Sequence, residues 1–139
     1  MKILIPVFSV MVLSGCVTTA LPDAESVQVR SEHILAYGTL PSGPYGEIIV
    51  KRDSGMIGSA CRIGFYVDGT LAGRIDTSEI AKFNVPVGER LIGIGPGASG
   101  LCSNTALREQ SVIIKENEIR RYRISTDLAS GIALTPSSR

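Results

Sequence analysis

From Gly46 onward the chain alternates short apolar runs with clusters of turn residues. In Arg62–Val67, RIGFYV, the apolar positions Ile63, Phe65 and Val67 recur every second residue, which is the period of a strand with one buried face. Asp68-Gly69 follows, then TLAGRI. Asp-Gly between two such runs predicts a hairpin, because a type I′ turn needs positive φ at both central residues. EIIVKR (Glu47–Arg52) is a β-branched run, and DSGMIGSA after it reads as a loop leading to Cys61. DTSEIA (Asp76–Ala81) has Asp76 as a cap and Glu79 three residues on, a pattern for one helical turn. KFNVP and RLIGIG flank Pro86 and Gly88 and predict a second hairpin. LREQSVIIKE and EIRRYRIS flank Asn117 and predict a third, and GIALTP (Gly131–Pro136) is a last short strand. Runs of about six residues at intervals of about ten predict an all-β domain, an antiparallel β-sandwich of about seven short strands.

The segment before Gly46 is patterned differently. MKILIPVFSVMVLSGC begins with Lys2, continues through an almost wholly apolar Ile3–Leu13, and ends on small residues and Cys16. A charged start, an apolar stretch of about 7–15 residues and a small-residue cleavage site describe an export signal, and the stretch is too short for a mature membrane span. Val17 to Gly46 is small and polar at first and dense in Gly and Pro at its end. AESVQVRSEHILAY within it fits either a short helix or a strand along the domain edge. The expected organisation is a signal peptide over residues 1–15, a flexible tether and adapter over 16–45, and a sandwich domain over 46–139.

Leu13-Ser14-Gly15-Cys16 resembles the lipobox of bacterial lipoproteins, Leu-[Ala/Ser/Thr]-[Gly/Ala]-Cys, at all four positions. The resemblance implies cleavage before Cys16, lipid attachment at its sulfur, and more than one fatty chain, enough for stable anchoring at about 0.8 kcal/mol per buried methylene. Val17 stands where an Asp often retains such proteins at the inner membrane, so the resemblance implies the outer membrane of a Gram-negative cell, facing the periplasm. With Cys16 lipidated, Cys61 and Cys102 remain. In an oxidising compartment two thiols are expected to pair, closing a loop of about 40 residues worth roughly 4 kcal/mol by chain entropy. Two separate buried thiols are the alternative.

Composition narrows the chemistry. Removing residues 1–15 removes Lys2 and leaves thirteen basic against thirteen acidic side chains. That balance gives no basic stripe for nucleic acid. Arg120, Arg121 and Arg123 cluster, but Glu116 and Glu118 lie beside them, and a solvated strand face is expected. GIGPGASGLC contains Gly95-x-Gly97-x-x-Gly100, the spacing of a dinucleotide loop. Pro96 lacks an N–H where backbone donors should converge, and no helix or βαβ crossover follows, so no nucleotide is expected. The glycines let a long loop fold back until Cys102 meets Cys61.

His33 is the only histidine and lies in the adapter, so a catalytic triad has no base to use, and two cysteines without a nearby histidine fall short of a zinc site. Nothing singles out two of the carboxylates as a catalytic pair, and Asp68 is accounted for by its turn. Tyr66 and Tyr122 fall in strands and are expected in packing. No catalytic residue, metal or cofactor is expected, and the chain reads as a non-enzyme.

FYVDGTLAGRI, FNVPVGERLIGIG and SVIIKENEIRRYRIS resemble, over Phe65 to Ser125, the PEGA-like and related domains of small Gram-negative lipoproteins. The resemblance implies an antiparallel sandwich in the envelope that binds or scaffolds, with no catalytic residues to carry over. The expected function is structural or protein-binding, with another envelope protein as partner, and strand addition at a sheet edge is a common route to such contacts. The alternative is a binding module for peptidoglycan or another envelope glycan or small ligand, a reading that the scarcity of aromatic residues disfavours.

Overall fold

A computed structural model describes residues 18–97 and 106–138. The described chain forms nine strands: β1 (Val27–Gln28), β2 (Tyr45–Arg52), β3 (Ile63–Val67), β4 (Thr70–Ile75), β5 (Glu79–Pro86), β6 (Gly88–Pro96), β7 (Arg108–Ile114), β8 (Ile119–Asp127) and β9 (Gly131–Pro136). They make two sheets, ordered β1-β5-β2-β8-β9 and β4-β3-β6-β7. The all-β sandwich is therefore the fold, and its strands lie where the two-residue periodicity puts them.

Alternation decides which side chains meet between the layers. Ile48 and Val50 of β2, Phe83 and Val85 of β5, and Tyr122 and Ile124 of β8 face inward from the five-stranded sheet. Ile63, Phe65 and Val67 of β3, Ile92 and Ile94 of β6, and Val112 and Ile114 of β7 meet them from the other. Phe65 and Phe83 touch across the layers with ring centroids 4.9 Å apart. Each buried side chain of this size contributes about 2–3 kcal/mol against exposure. Gly73 of β4 leaves room for this pair, since a Cβ there would come within 2.9 Å of the Phe83 ring.

The hairpin at Asp68-Gly69 forms as the sequence predicts, with φ of 48° and 77° at the two turn residues. The other two predicted hairpins do not. β5 and β6 meet at Val87-Gly88 but belong to different sheets, as do β7 and β8 on either side of Asn117. Turn residues mark where the chain changes direction. Which layer the next strand joins depends on pairing with strands far along the chain. Asp76–Ala81 also departs from expectation. The Glu79 carboxylate accepts the Asp76 N–H at 2.7 Å, as in a helix cap. Ser78, however, takes φ 64°, and β5 starts at Glu79. The β-branched and aromatic residues that follow win over the cap.

The four-stranded sheet is wholly antiparallel. The five-stranded sheet is mixed, with β2 parallel to β8 and β1 parallel to β5, which corrects the expectation of an antiparallel sandwich. β2 and β8 are joined through the whole of the other layer and β5, and so long a connection removes the hairpin constraint that enforces antiparallel pairing.

Residues expected to be slack are laid on the domain from Thr18 onward. Thr18 is buried, Thr19 bridges to Ser54, Val27 and Gln28 pair with β5, and Ile34 bridges to Gly73. Residues 18–28 thus run as a strap across the outer face of the five-stranded sheet. Of the two readings for Ala24–Tyr37, the edge strand is the one found, flanked by single turns of 3-10 helix.

Candidate functional site

The outer face beneath the strap carries three cations at adjoining positions. Lys51 on β2 lies opposite Arg123 on β8, and Ile49 lies opposite Arg121, so the alternation of both strands puts Lys51, Arg121 and Arg123 on one side of the sheet. Like charges so close are stable only with anions between them. Two carboxylates supply that. Asp23, delivered by the strap, accepts Lys51 Nζ at 2.8 Å on one oxygen and Arg121 Nη1 on the other. Asp53, the first residue beyond β2, accepts Arg123 Nε and Nη2, each at 2.6 Å, in a bidentate pair.

These contacts shift proton affinities in consistent directions. The hydrogen bond from the Lys51 ammonium, with help from Arg121 and against the cost of burial, holds the Asp23 carboxyl below the usual carboxylate range. The Asp53 carboxylate raises the Arg123 guanidinium. Three cations against two carboxylates leave one positive charge in excess. The three cations line a cleft of about 590 Å³ bounded by Leu21 and Asp23 of the strap and by Ser137 beyond β9. Its chemistry suits an anionic group that competes with Asp23 for Arg121.

The strap is fixed at its start. The Thr18 hydroxyl donates to Asp53 Oδ2 at 2.9 Å and accepts the Thr126 N–H at 3.0 Å. The Thr18 N–H donates to the Thr126 carbonyl at 3.3 Å. On the inner side of the same strand end, Arg52 is 2% exposed and donates to three carbonyls: Cys61 at 2.7 Å, Ile75 at 3.0 Å and Gly58 at 2.7 Å. Burial lowers its proton affinity, which Asp76 and Glu79 partly restore. An arginine stays protonated throughout, so it acts as a fixed brace on the loop between β2 and β3.

A second surface feature lies along one open side of the sandwich. β7 and β9 each have one neighbour and end their sheets. Arg108 Nη1 donates to the Ile132 carbonyl at 3.0 Å, and Gln110 Nε2 to the Leu134 carbonyl at 3.4 Å. The two edges thus run in step across a groove of about 230 Å³, joined by side chains reaching the facing backbone. Ile113 on β7 is 60% exposed.

The residues picked from sequence distribute as follows. Cys61 ends the loop after β2, partly exposed, with its carbonyl on Arg52. Cys16, Cys102 and Gly100 lie outside the described residues. Gly95 is in β6, and Gly97 packs directly on the Arg62 backbone. His33 sits in a 3-10 turn, with Nε2 3.6 Å from Glu32. The Tyr66 hydroxyl donates to the Pro96 carbonyl at 2.7 Å, and Tyr122 is in the core.

The arginine cluster divides. Arg120 pairs with Glu118, one of the acids beside it in sequence, whereas Arg121 and Arg123, each about a third exposed, pair with Asp23 and Asp53, which the sequence does not single out. Sequence reasoning missed Asp23, Lys51, Arg52 and Asp53. The signal available was Lys51-Arg52-Asp53, three charges closing a β-branched run, whose middle member must share the inward face of Val50. Among the described residues no three His, Cys, Asp or Glu side chains converge as a metal site would require. Compared with known proteins, the chain matches no family model, no curated protein and no solved structure.

Proposed function

We propose that this chain is an exported lipoprotein of the cell envelope, anchored at Cys16 in the outer membrane and facing the periplasm. Its role is non-catalytic: the sandwich, braced by a Cys61–Cys102 disulfide, is a docking body for another envelope protein. The lipobox resemblance supports the anchor. The observation that carries the docking role is the pair of edges β7 and β9, each with one neighbour; the β9 carbonyls at Ile132 and Leu134 are held by the Arg108 and Gln110 side chains, which an incoming strand would displace. An edge strand offers a row of backbone donors and acceptors, and adding a partner strand satisfies them.

The test is photo-crosslinking in intact cells from a reactive residue at Ile113 on β7 or Thr135 on β9. One recurrent protein captured from both positions, and lost from the Thr135 probe in Ile113→Lys, is the expected result. Capture of nothing from either edge overturns the docking role.

A second reading has its own observation. The cleft with Lys51, Arg121 and Arg123 suits an anionic glycan or small ligand that displaces Asp23. Co-sedimentation with purified peptidoglycan, weakened by Arg121→Ala, is its signature.

A further inference from the structure

The strap fixes which end of the sandwich meets the membrane. Thr18 is 6% exposed and bound at both backbone and side chain to Asp53 and Thr126. Thr19 and Ser54 exchange both of their backbone hydrogen bonds, each at 3.0 Å. Between Thr18 and the proposed lipid on Cys16 stands only Val17. Two residue steps reach at most about 7 Å even when fully extended. A domain held so closely cannot tumble freely above its anchor. The surface around Thr18 must lie at the lipid.

That surface has the right character. Two loops flank Thr18. One follows β2, and a Cβ on its Gly55 would sit 3.1 Å from the Thr18 side chain. The other is the β8–β9 turn that begins just past Thr126. The first, Ser54 to Ala60, carries no charged residue, and at its tip Met56 is 91% exposed. The second carries Leu128, 73% exposed. Its one acid, Asp127, turns its carboxylate back onto the Ala129 and Ser130 N–H groups at 2.8 and 2.9 Å. So two large apolar side chains project from the end where the chain leaves toward its lipid, and the acid beside them is occupied by its own turn.

We propose that Met56 and Leu128 insert into the lipid interface beside the acylated Cys16, docking the sandwich on end with the β3–β4 turn pointing away from the membrane. The inference rests on the lipid-anchored reading above and adds the contact face and the orientation.

The chain contains no tryptophan, so a single introduced one is an unambiguous reporter. Met56→Trp and Leu128→Trp place it at the proposed contact, and Ile119→Trp, at the exposed start of β8, places it at the far end. Each full-length protein is purified after processing in its host, its N-terminus is checked by mass spectrometry, and it is reconstituted into phosphatidylcholine vesicles with brominated acyl chains. Emission from positions 56 and 128 should shift to the blue and lose most of its intensity, while emission from 119 stays unchanged. Undiminished emission at both 56 and 128, in a protein whose Cys16 is acylated, overturns the docking face and leaves the anchor standing. A blue shift that depends on protein concentration in detergent without bromolipid assigns the surface to a second copy and also overturns it. An unacylated Cys16 overturns the anchor and the docking face together.

Discussion

The two ends of the sandwich turn the chain by different chemistry. At the end carrying Asp68-Gly69, Val87-Gly88 and Lys115–Glu118, the turns are short and use positive φ at Asp68, Gly69, Gly88 and Asn117. Their polar contacts are mostly at the surface and between near neighbours: Arg90 meets Asp68 at 3.1 Å and, partly buried, the Pro86 and Val87 carbonyls at 3.0 and 2.9 Å, and Lys115 N–H meets Glu118 at 3.1 Å. At the other end a longer loop, the strap and a strand terminus are tied by Arg52, Asp53 and Thr18, all nearly out of solvent. The other end uses positive φ as well, at Gly55, Gly58, Ser78 and Gly131, so local backbone preference serves both. What the second end adds is buried charged groups that gain their partners only when distant segments arrive. Disturbing it should therefore cost more, and loosen more of the chain.

The sharpest way to break this contrast is Arg52→Met. Its methylenes remain, but the carbonyls of Gly58, Cys61 and Ile75 lose their donor, and about 3 kcal/mol of stability should go with it. Urea unfolding checks this, and a loss no greater than that of a surface variant would abolish the distinction between the ends. Asp53→Asn should follow at about 2 kcal/mol, since it removes the charge that takes Arg123 in two bonds and also accepts Thr18. Hydrogen exchange should then quicken at Thr18 and Thr19 more than at Val27.

Asp23→Asn tests the middle of the strap. The carboxyl of Asp23 has a lowered pKa in the folded chain, so its stabilisation is complete above the unfolded value of about 3.9 and is lost as pH falls through the lower folded value. Wild type should exceed the variant by a constant margin above about pH 5 and converge on it in acid. Because 40% of the side chain is exposed, the margin should be only about 0.5 kcal/mol after solvent screening. Ser111→Ala, near the opposite end, should be smallest, about 0.3 kcal/mol, because its hydroxyl donates to Glu89 only at the surface. Thermal melts of both variants at neutral pH rank them directly.

The same contrast explains what the sequence makes legible. Strand positions were readable because the inward residues, Ile63, Phe65 and Val67 among them, repeat every second position, and that periodicity is what burial selects. The Asp68-Gly69 hairpin was readable because its dihedrals restrict the residues allowed there. The corners at Val87 and Asn117 look the same in sequence as hairpins, since both need a turn. Only pairing across the fold separates them. The site was hardest to see. Asp23 and Arg121 are nearly a hundred residues apart, and nothing local marks either as a partner. The strap was hidden by its composition, which is that of a linker, whereas its hold comes from a few side chains such as Thr18 and Asp23 rather than from a continuous apolar face.

The parallel pairing of β2 with β8 has a consequence for how the chain reaches this state. A strand that begins at Tyr45 is completed only by one that begins at Ile119, whereas the β3–β4 hairpin needs nothing beyond Ile75. During synthesis the hairpin can form early and β2 can pair along one edge with β5, while its other edge waits for β8 until nearly the whole chain is present. Closure of so long a loop makes folding slow. For that interval the outer edge of β2 stays open, a site for wrong pairing with another chain until β8 arrives.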